Sequence, residues 1–449
     1  MTDLLIQNGT ILSMDAGGEV LPGGAVAVRD GRIAAVGKAA DLKRMGFGEG
    51  RTLNARGQVV MPGLVNAHAH VAGGLLKALP EGPGARAALQ RASRLLFTEP
   101  EPAETEALAR ASFLEALKSG VTCLGVLDRA ASALGDAARE SGLRVVLADA
   151  LAEADLVSAA SGAAPKLDAA AGAAALEAAL TRIDGLDPDG AGRVTARLGV
   201  HSPAVCSDET LESVAREAEA QKLGLHFHLA TFAAETETLR ARAGGDLFGF
   251  LRSLDLLRSN TLAAGGSALK EEEIGGLRES AAQLAVASRA DAARGVRTPV
   301  AAYLRNKVPL VLGTNGIGHD LFAVVRAFIL SARLDGESGG LVGPAEALRM
   351  ATRDGARALG LLGSVGSIEI GKKADLILVT LDPAKAPLVE SDDPAAAVAE
   401  VCGPGDVTDV VVDGEVVVEG GKVKSVDEKA VLNEARKAAA AVWRRAAGG

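Results

Sequence analysis

Aromatic residues, cysteines and long apolar runs are all scarce in this sequence of 449 residues. Aromatic side chains make up only 2% of the chain, so the core has to be packed mainly by aliphatic residues. The three cysteines, Cys123, Cys206 and Cys402, lie far apart without CxxC spacing, which indicates neither a disulfide framework nor a thiolate zinc site. No apolar run reaches the roughly 20 residues that a membrane span needs, and no targeting signal is recognisable. We therefore expect a cytoplasmic protein without a membrane partner.

Clusters of basic residues are absent as well. The formal net charge is -9, and the composition is 48% hydrophobic and 23% charged. This balance is typical of a globular protein and argues against a nucleic-acid partner. A small, soluble molecule is the expected partner.

Both ends of the chain are rich in short β-branched runs. Such runs flank Asp30-Gly31 near the N-terminus and Asp413-Gly414 near the C-terminus, and this pattern is typical of β-hairpins. Between the two ends, eight short apolar strands, the first predicted over Val59 to Ala67, alternate with helical stretches rich in Ala, Leu and Glu. This alternation predicts an α/β protein with a parallel (β/α)8 TIM-like barrel. The predicted domains are a barrel over 61–364, a small β-sandwich domain formed by 1–60 and 365–425, and a C-terminal helix over 426–449.

Five of the six histidines fall at predicted ends of barrel strands: His68, His70, His201, His226 and His228. The C-terminal ends of the strands form the active-site face of such a barrel. Alternation along a strand puts His68 and His70 on the same face, close enough to share one metal ion. The alternative is a coincidental pair of core histidines, and the strand context favours the metal site.

These motifs resemble those of the amidohydrolase superfamily. Residues 61–70 (MPGLVNAHAH) resemble the opening barrel strand of its chlorohydrolase and guanine deaminase-like (ATZ/TRZ-type) branch, which includes deaminases of adenosine derivatives. The resemblance continues, in the same order, through 198–203 (LGVHSP), 224–228 (GLHFH), 312–316 (LGTNG) and 366–376 (GSIEIGKKADL). Residues 313–322 (GTNGIGHDLF) are most similar to the SsnA-type aminohydrolases, a subgroup whose substrate is unsettled.

The resemblance implies a metal site and a substrate-facing histidine. It assigns His68, His70 and His228 to one divalent metal ion, with zinc expected and iron or manganese as alternatives. Three neutral imidazoles leave an open position on zinc, which can lower the pKa of a bound water to roughly 7. His201 falls on a histidine that faces substrate in related deaminases. His226 falls on a histidine that is often structural, so it is left out of the metal set.

Three positions depart from the family pattern. Thr231 stands where the family has a glutamate that shuttles protons, and Gly265 where it has a histidine that polarises the attacked group. Asn315 stands where an aspartate binds the metal and accepts a proton. Its carbonyl oxygen can still bind an ion, but neither asparagine nor threonine exchanges protons near neutral pH. These changes predict an altered set of proton carriers or a loss of catalysis.

Other residues could replace the missing groups. His319 follows the eighth strand by a short loop and could restore an acid-base group near the metal, although a loop histidine is more often solvated. Asp320 could orient that ring or cap the next helix. His201 could contact substrate or serve only in packing. Glu235 and Glu237 could move inward, although charged residues that open a helix are usually solvated.

Two functions follow from this pattern. The first is a metal-dependent hydrolase of a non-peptide carbon–nitrogen bond, similar to a deaminase, with rearranged proton carriers. The second is a catalytically dead member of the fold that binds a ligand or a partner. In both cases a small nitrogenous molecule is the expected substrate or ligand, and a homodimer is the expected assembly because twofold dimers are the commonest oligomers.

Overall fold

The computed structural model describes residues 3–72, 101–154, 164–186, 192–334, 342–385 and 393–448. Two sheets organise them, one with nine strands and one with eight. The N-terminal strands are β1 (Leu4–Leu12), β2 (Val20–Arg29), β3 (Arg32–Lys38), β4 (Arg51–Asn54) and β5 (Gln58–Pro62). The central strands are β6 (Leu64–Ala69), β7 (Val121–Asp128), β8 (Arg144–Leu151), β9 (Val194–Val200), β10 (Leu225–Leu229), β11 (Thr261–Gly265), β12 (Gln283–Val286) and β13 (Leu310–Leu312). The C-terminal strands are β14 (Leu376–Thr380), β15 (Val407–Val412), β16 (Glu415–Glu419) and β17 (Lys422–Val423).

The nine-stranded sheet unites the two ends of the chain. Its order is β17-β16-β15-β14-β5-β1-β2-β3, and β4 pairs with β1. The two ends meet where β5 and β14 pair antiparallel. Both predicted hairpins are confirmed: Asp30-Gly31 and Asp413-Gly414 are two-residue loops in which both residues have positive φ. This conformation matches the right-handed twist of the flanking strands.

The eight-stranded sheet is the predicted barrel. Strands β6 to β13 pair in sequential order, and every neighbouring pair is parallel. The barrel closes between β6 and the residues after β13, where Ala69 and Asn315 form a bridge. Small and branched side chains such as Val65, Ala67 and Val311 pack together in one buried cluster, in keeping with the aliphatic composition.

The strand predicted over Val59 to Ala67 is divided in the structure. Its first part is β5, which belongs to the nine-stranded sheet, and its second part is β6, the first barrel strand. Pro62 cannot donate a backbone hydrogen bond, and Gly63 between the strands donates to the Asp375 carbonyl. A Cβ at Gly63 would lie 2.0 Å from the Thr122 hydroxyl, so this close passage between the sheets requires glycine.

The helices alternate with the barrel strands and also cover the ends of the molecule. They are α1 (Ala39–Arg44), α2 (Pro102–Lys118), α3 (Gly135–Ser141), α4 (Ala169–Asp184), α5 (Asp208–Ala220), α6 (Ala233–Arg242), α7 (Leu247–Ser253), α8 (Ile274–Glu279), α9 (Ser288–Ala293), α10 (Val300–Arg305), α11 (Leu321–Leu334), α12 (Pro344–Met350), α13 (Arg353–Ala358), α14 (Pro394–Val401) and α15 (Glu428–Gly448). The C-terminal helix α15 packs on α2, where Val442 and Ala438 join Leu108 in a buried cluster. Among the described residues, no helix combines the length and apolarity that crossing a membrane requires.

A buried ion pair joins the barrel to the nine-stranded sheet. The Arg144 guanidinium at the start of β8 donates to both carboxylate oxygens of Asp375, at 2.8 and 3.0 Å. Asp375 also accepts the backbone N–H of Asp413 at 2.8 Å. The carboxylate that precedes β14 therefore fixes the sheet against the barrel, at the end opposite to the strand C-termini.

Candidate metal centre and active site

Three histidines converge at the C-terminal ends of the barrel strands. His68 lies in β6, His70 directly follows that strand, and His228 lies in β10. One ring nitrogen of each lies within 4.8 Å of those of the other two. The structure therefore brings together the three histidines that the sequence predicted as metal ligands.

Each of these rings is oriented through its Nδ1 atom. The contacts are His68 Nδ1 to His226 Nε2 at 3.0 Å, His70 Nδ1 to Asp128 Oδ1 at 2.9 Å and His228 Nδ1 to the His201 carbonyl at 2.9 Å. A hydrogen bond of this kind fixes the ring and its tautomer, leaving Nε2 available to a metal.

The Nε2 atoms of the three rings fit a cation. His70 Nε2 and His228 Nε2 lie 3.2 Å apart. Because both rings donate through Nδ1, their neutral forms face each other with two lone pairs, which repel. His68 Nε2 is buried and has no hydrogen-bond partner among the described residues. A divalent ion bound by all three nitrogens would remove the repulsion and satisfy the buried atom, as in three-histidine zinc sites.

Burial keeps the rings of His68 and His228 neutral. The pKa of His68 lies well below its ordinary value, first because of burial and then because the neighbouring histidines repel a second positive charge. Burial, followed by the charges of His201 and His70, likewise lowers the pKa of His228. Neutral imidazole is the form that binds a metal.

His226 and His201 support the cluster from its periphery. His226 contacts His68, and its pKa is lowered by burial and by the charge of Arg197. The His201 ring lies 4.7 Å from that of His228, centroid to centroid, and burial lowers its pKa to about 3. Its Nδ1 is buried and has no hydrogen-bond partner among the described residues. His201 therefore orients His228 through its carbonyl, and its ring lies beside the cluster.

Asn315 lies beside the histidines through its backbone. Its N–H donates to the His68 carbonyl, and its carbonyl accepts from the His70 N–H, both at 3.1 Å. These bonds close the barrel at the strand that carries His68. The residue has a φ of 56°, a left-handed conformation that asparagine and aspartate adopt more readily than most residues.

Thr231 and Gly265, the other two substituted positions, face each other. The Thr231 hydroxyl donates to the Ala264 carbonyl at 3.2 Å, and both residues lie at the ends of neighbouring strands. Gly265 has a φ of 118°, and a Cβ there would lie 2.2 Å from the Thr231 Oγ1. The place where the family resemblance implies a histidine therefore has neither the space nor the backbone conformation for a side chain.

His319 lies elsewhere, which corrects the prediction of an acid-base group near the metal. Its ring is buried between Asn66 on β6 and Ser112 on α2, with Nδ1 3.2 Å from the Asn66 amide nitrogen and Nε2 2.6 Å from the Ser112 hydroxyl. The Asn66 amide oxygen accepts from the Thr314 N–H, so its NH2 group faces His319. Nδ1 is then the acceptor and Nε2–H donates to Ser112. Both nitrogens are engaged between the barrel wall and a helix, and the ring is not solvated either.

Two carboxylates near the cluster, those of Asp128 and Glu235, were not predicted as site residues from the sequence. Asp128 ends β7 and contacts His70. The signal in the sequence is an acidic residue directly after the apolar run 121–127. Glu235 opens α6 and is buried, with its carboxyl hydrogen-bonded to Ser202, and burial raises its pKa. Glu237 is solvated as expected and pairs with Arg240.

Comparison with known proteins agrees with this site. The model of the amidohydrolase family matches residues 59–417, and an imidazolonepropionase-like composite domain of bacteria matches residues 24–45. A 5-methylthioadenosine/S-adenosylhomocysteine deaminase from Moorella thermoacetica is 32% identical over 97% of this chain and 99% of the relative. A 5'-deoxyadenosine deaminase from Methanosarcina acetivorans is 29% identical over 99% of this chain and 100% of the relative.

The fold agrees with a solved relative as well. The crystal structure of an adenosine deaminase from Xanthomonas campestris with bound zinc superposes with a TM-score of 0.85, at 25% identity and over 98% of both chains. The deaminases of adenosine derivatives are the branch that the sequence motifs indicated, whereas the SsnA-type subgroup stays a prediction. The chain belongs to the amidohydrolase family.

Proposed function

We propose that this protein is a metal-dependent aminohydrolase that hydrolyses a non-peptide carbon–nitrogen bond in a small nitrogenous molecule, using an altered set of proton carriers. The observation that carries the proposal is the convergence of one ring nitrogen each from His68, His70 and His228 within 4.8 Å. The relatives named as deaminases of adenosine derivatives support the reaction class and favour a nucleoside-like substrate.

The three histidines would hold the metal. Zinc is the proposed ion, with iron and manganese as alternatives, because three neutral imidazoles suit zinc and a related deaminase was solved with it. When bound, the ion supplies Lewis acidity and makes a water molecule more acidic. Asn315, beside His68 and His70, could add a neutral carbonyl oxygen.

His201 would orient the substrate. Its pKa of about 3 keeps the ring neutral near pH 7, so it acts by hydrogen bonding and does not carry a positive charge. The buried His201 Nδ1, which has no hydrogen-bond partner in the part of the chain that the structure describes, is suited to a polar group of the substrate, because a buried nitrogen without a partner gains most from a new hydrogen bond.

Glu235 would take over the proton transfer that Thr231 cannot perform. Hydrolysis consumes one water, forms a C–O bond, breaks the C–N bond and releases ammonia, so a proton must pass from the water to the leaving amine. Glu235 lies on the same strand–helix unit as His228 and contacts Ser202, the residue after His201. Burial raises the pKa of its carboxyl, which brings it closer to the working pH of a proton carrier.

The expected setting of this reaction follows from the sequence. We propose a small nitrogenous substrate in the cytoplasm, in line with the lack of basic clusters in the sequence. The homodimer stays a prediction.

The test measures zinc content and ammonia release by the full chain with a panel of adenosine derivatives. We expect one zinc per chain in the wild type, and neither bound zinc nor ammonia release in His68→Ala. As a control for folding, the melting temperature of metal-free His68→Ala is compared with that of the metal-free wild type. Glu235→Gln should retain zinc and lower kcat by a factor of about 100 or more. Glu237→Gln, the exposed neighbour on α6, should leave kcat unchanged.

A ligand-binding protein without catalysis is the second candidate, and the replacements Thr231, Gly265 and Asn315 favour it. Stoichiometric zinc with substrate binding but without ammonia release across the panel would support this candidate. A wild type that cannot be loaded with zinc would contradict the metal site itself. Equal kcat values for Glu235→Gln and the wild type would remove Glu235 from the proposal and leave the rest intact.

A further inference from the structure

We propose that Asp128 is the anionic positioning residue of the metal centre, and that it supplies through His70 the negative charge that Asn315 cannot provide. The inference rests on the metal site of the proposed function. It concerns Asp128, which orients the proposed ligand His70. It predicts how the chain holds a metal although Asn315 stands in place of an anionic ligand.

The Asp128–His70 contact is short and shielded from water. Oδ1 of the carboxylate lies 2.9 Å from His70 Nδ1, and the two side chains are 4% and 10% exposed. A charge-assisted hydrogen bond is roughly twice as strong as a neutral one, and low exposure limits its screening by solvent. The carboxylate therefore has a direct electrostatic effect on this ring.

The second carboxylate oxygen holds the backbone that follows His70. Oδ2 accepts from the Val71 N–H at 2.7 Å and from the Ala72 N–H at 3.4 Å. On the other side, the His70 N–H donates to the Asn315 carbonyl. The ring and the adjoining main chain are thus fixed by one side chain at the end of β7, which aims Nε2 at the cluster.

His70 differs from the other two ligands in the charge of its Nδ1 partner. His68 is oriented by the imidazole of His226 and His228 by the backbone carbonyl of His201, and both partners are neutral. When the ring N–H of an imidazole donates to a carboxylate, the imidazole becomes more basic and its bond to a metal is strengthened. Asp128 therefore brings negative charge to the centre through the His70 ring. The charge is further from the ion than that of a carboxylate bound directly to it.

The substitution Asp128→Asn tests this role because it keeps the shape and a hydrogen-bond acceptor but removes the charge. Zinc affinity of the full chain is measured by competition with a chromogenic chelator of known affinity. We expect zinc to bind 10–100-fold more weakly, the usual effect of removing such a partner. Asp128→Glu, which restores the charge, should recover part of the affinity.

The matched control is Asp149→Asn. Asp149 is a buried carboxylate of the neighbouring strand β8, held by Ser132 and Arg182. Its loss should lower the melting temperature and change zinc affinity by less than about twofold. A second readout is nitrogen NMR of the metal-free protein labelled in histidine, in which Asp128→Asn should lower the Nδ1-protonated fraction of the His70 ring.

The outcomes separate this inference from the proposed function. Equal zinc affinity in Asp128→Asn and the wild type, with zinc lost in His68→Ala, would overturn the role of Asp128 and leave the metal site intact. A lower melting temperature of the metal-free protein with unchanged zinc affinity would show a purely structural role and would also overturn it. A wild type without zinc affinity would overturn both proposals.

Discussion

The two sides of the barrel mouth have diverged from the family pattern to different degrees. The ligand side, formed by His68, His70 and His228, retains all three histidines that we propose as metal ligands, and each ring has a hydrogen-bond partner on Nδ1. The replaced side consists of Thr231, Gly265 and Asn315, the positions where the resemblance implies proton carriers and an anionic ligand. The difference teaches that the groups placed to hold a metal and the groups placed to move protons can change separately, because they are different side chains, even where one strand carries both.

Thr231 and Gly265, two of the three replaced positions, cannot be restored one residue at a time. Thr231 and Gly265 fit each other, and the backbone at Gly265 has taken a conformation that suits glycine. Reintroducing a histidine there requires a change of the main chain, so failure of such a variant to gain activity would say little about catalysis. Substitutions that the backbone accepts are more informative.

Gly265→Ala should have the largest effect. The methyl group would meet the Thr231 Oγ1 at 2.2 Å, and the φ of 118° is strained for any side chain, so we expect a loss of about 2–4 kcal/mol of folding free energy in denaturant titrations. Combining it with Thr231→Ala should recover about 0.5 kcal/mol or more by relieving the contact. A loss below about 0.5 kcal/mol for Gly265→Ala alone would show that the backbone at Gly265 can adjust to a side chain. It would contradict the conclusion that this position has no room for one.

Asn315→Asp should have an intermediate effect, on zinc affinity. It restores the residue that the family resemblance implies at one position of the replaced side. The left-handed backbone tolerates aspartate, and the added charge lies next to two ligands, so zinc affinity should rise about tenfold, or about 1.4 kcal/mol. Chelator competition measures this change, and Asn315→Gly serves as the neutral control. An unchanged affinity in Asn315→Asp would mean that the side chain does not reach the ion.

His319→Gln should have the smallest effect on the centre. The ring lies between Asn66 and Ser112, so its loss should cost about 1 kcal/mol of folding free energy and change zinc affinity by less than about twofold. Thermal melts and chelator competition measure the two quantities. A loss of zinc in this variant would mean that His319 contributes to the metal centre after all.

Much of the fold could be predicted from the sequence because its patterns are local. The Asp-Gly hairpins follow from the backbone conformations that these residues accept, and the strand–helix alternation predicts a parallel barrel. The division between β5 and β6 was missed because Val59 to Ala67 is continuously apolar. The assignment of its two parts to different sheets depends on the partners of Gly63, namely Asp375 and Thr122.

The candidate site was predictable in its ligands and not in their surroundings. A histidine at the end of a predicted barrel strand points to the active-site face, so His68, His70 and His228 follow from their positions along the chain. The partner of a ring depends on which strand lies next to it and on where that strand ends. Asp128 is therefore found only when β7 is placed beside β6.

The sequence by itself determined the barrel, the family and the three histidines that we propose as metal ligands, because alternation, turn chemistry and motif order are properties of neighbouring residues. The tertiary structure alone decided that Asp128 orients His70, that Glu235 is buried, that His319 lies behind the barrel wall and that Gly265 has no room for a side chain. Burial and hydrogen-bond partners depend on residues far apart in the chain, and these determine which titratable group is neutral, charged or free to react.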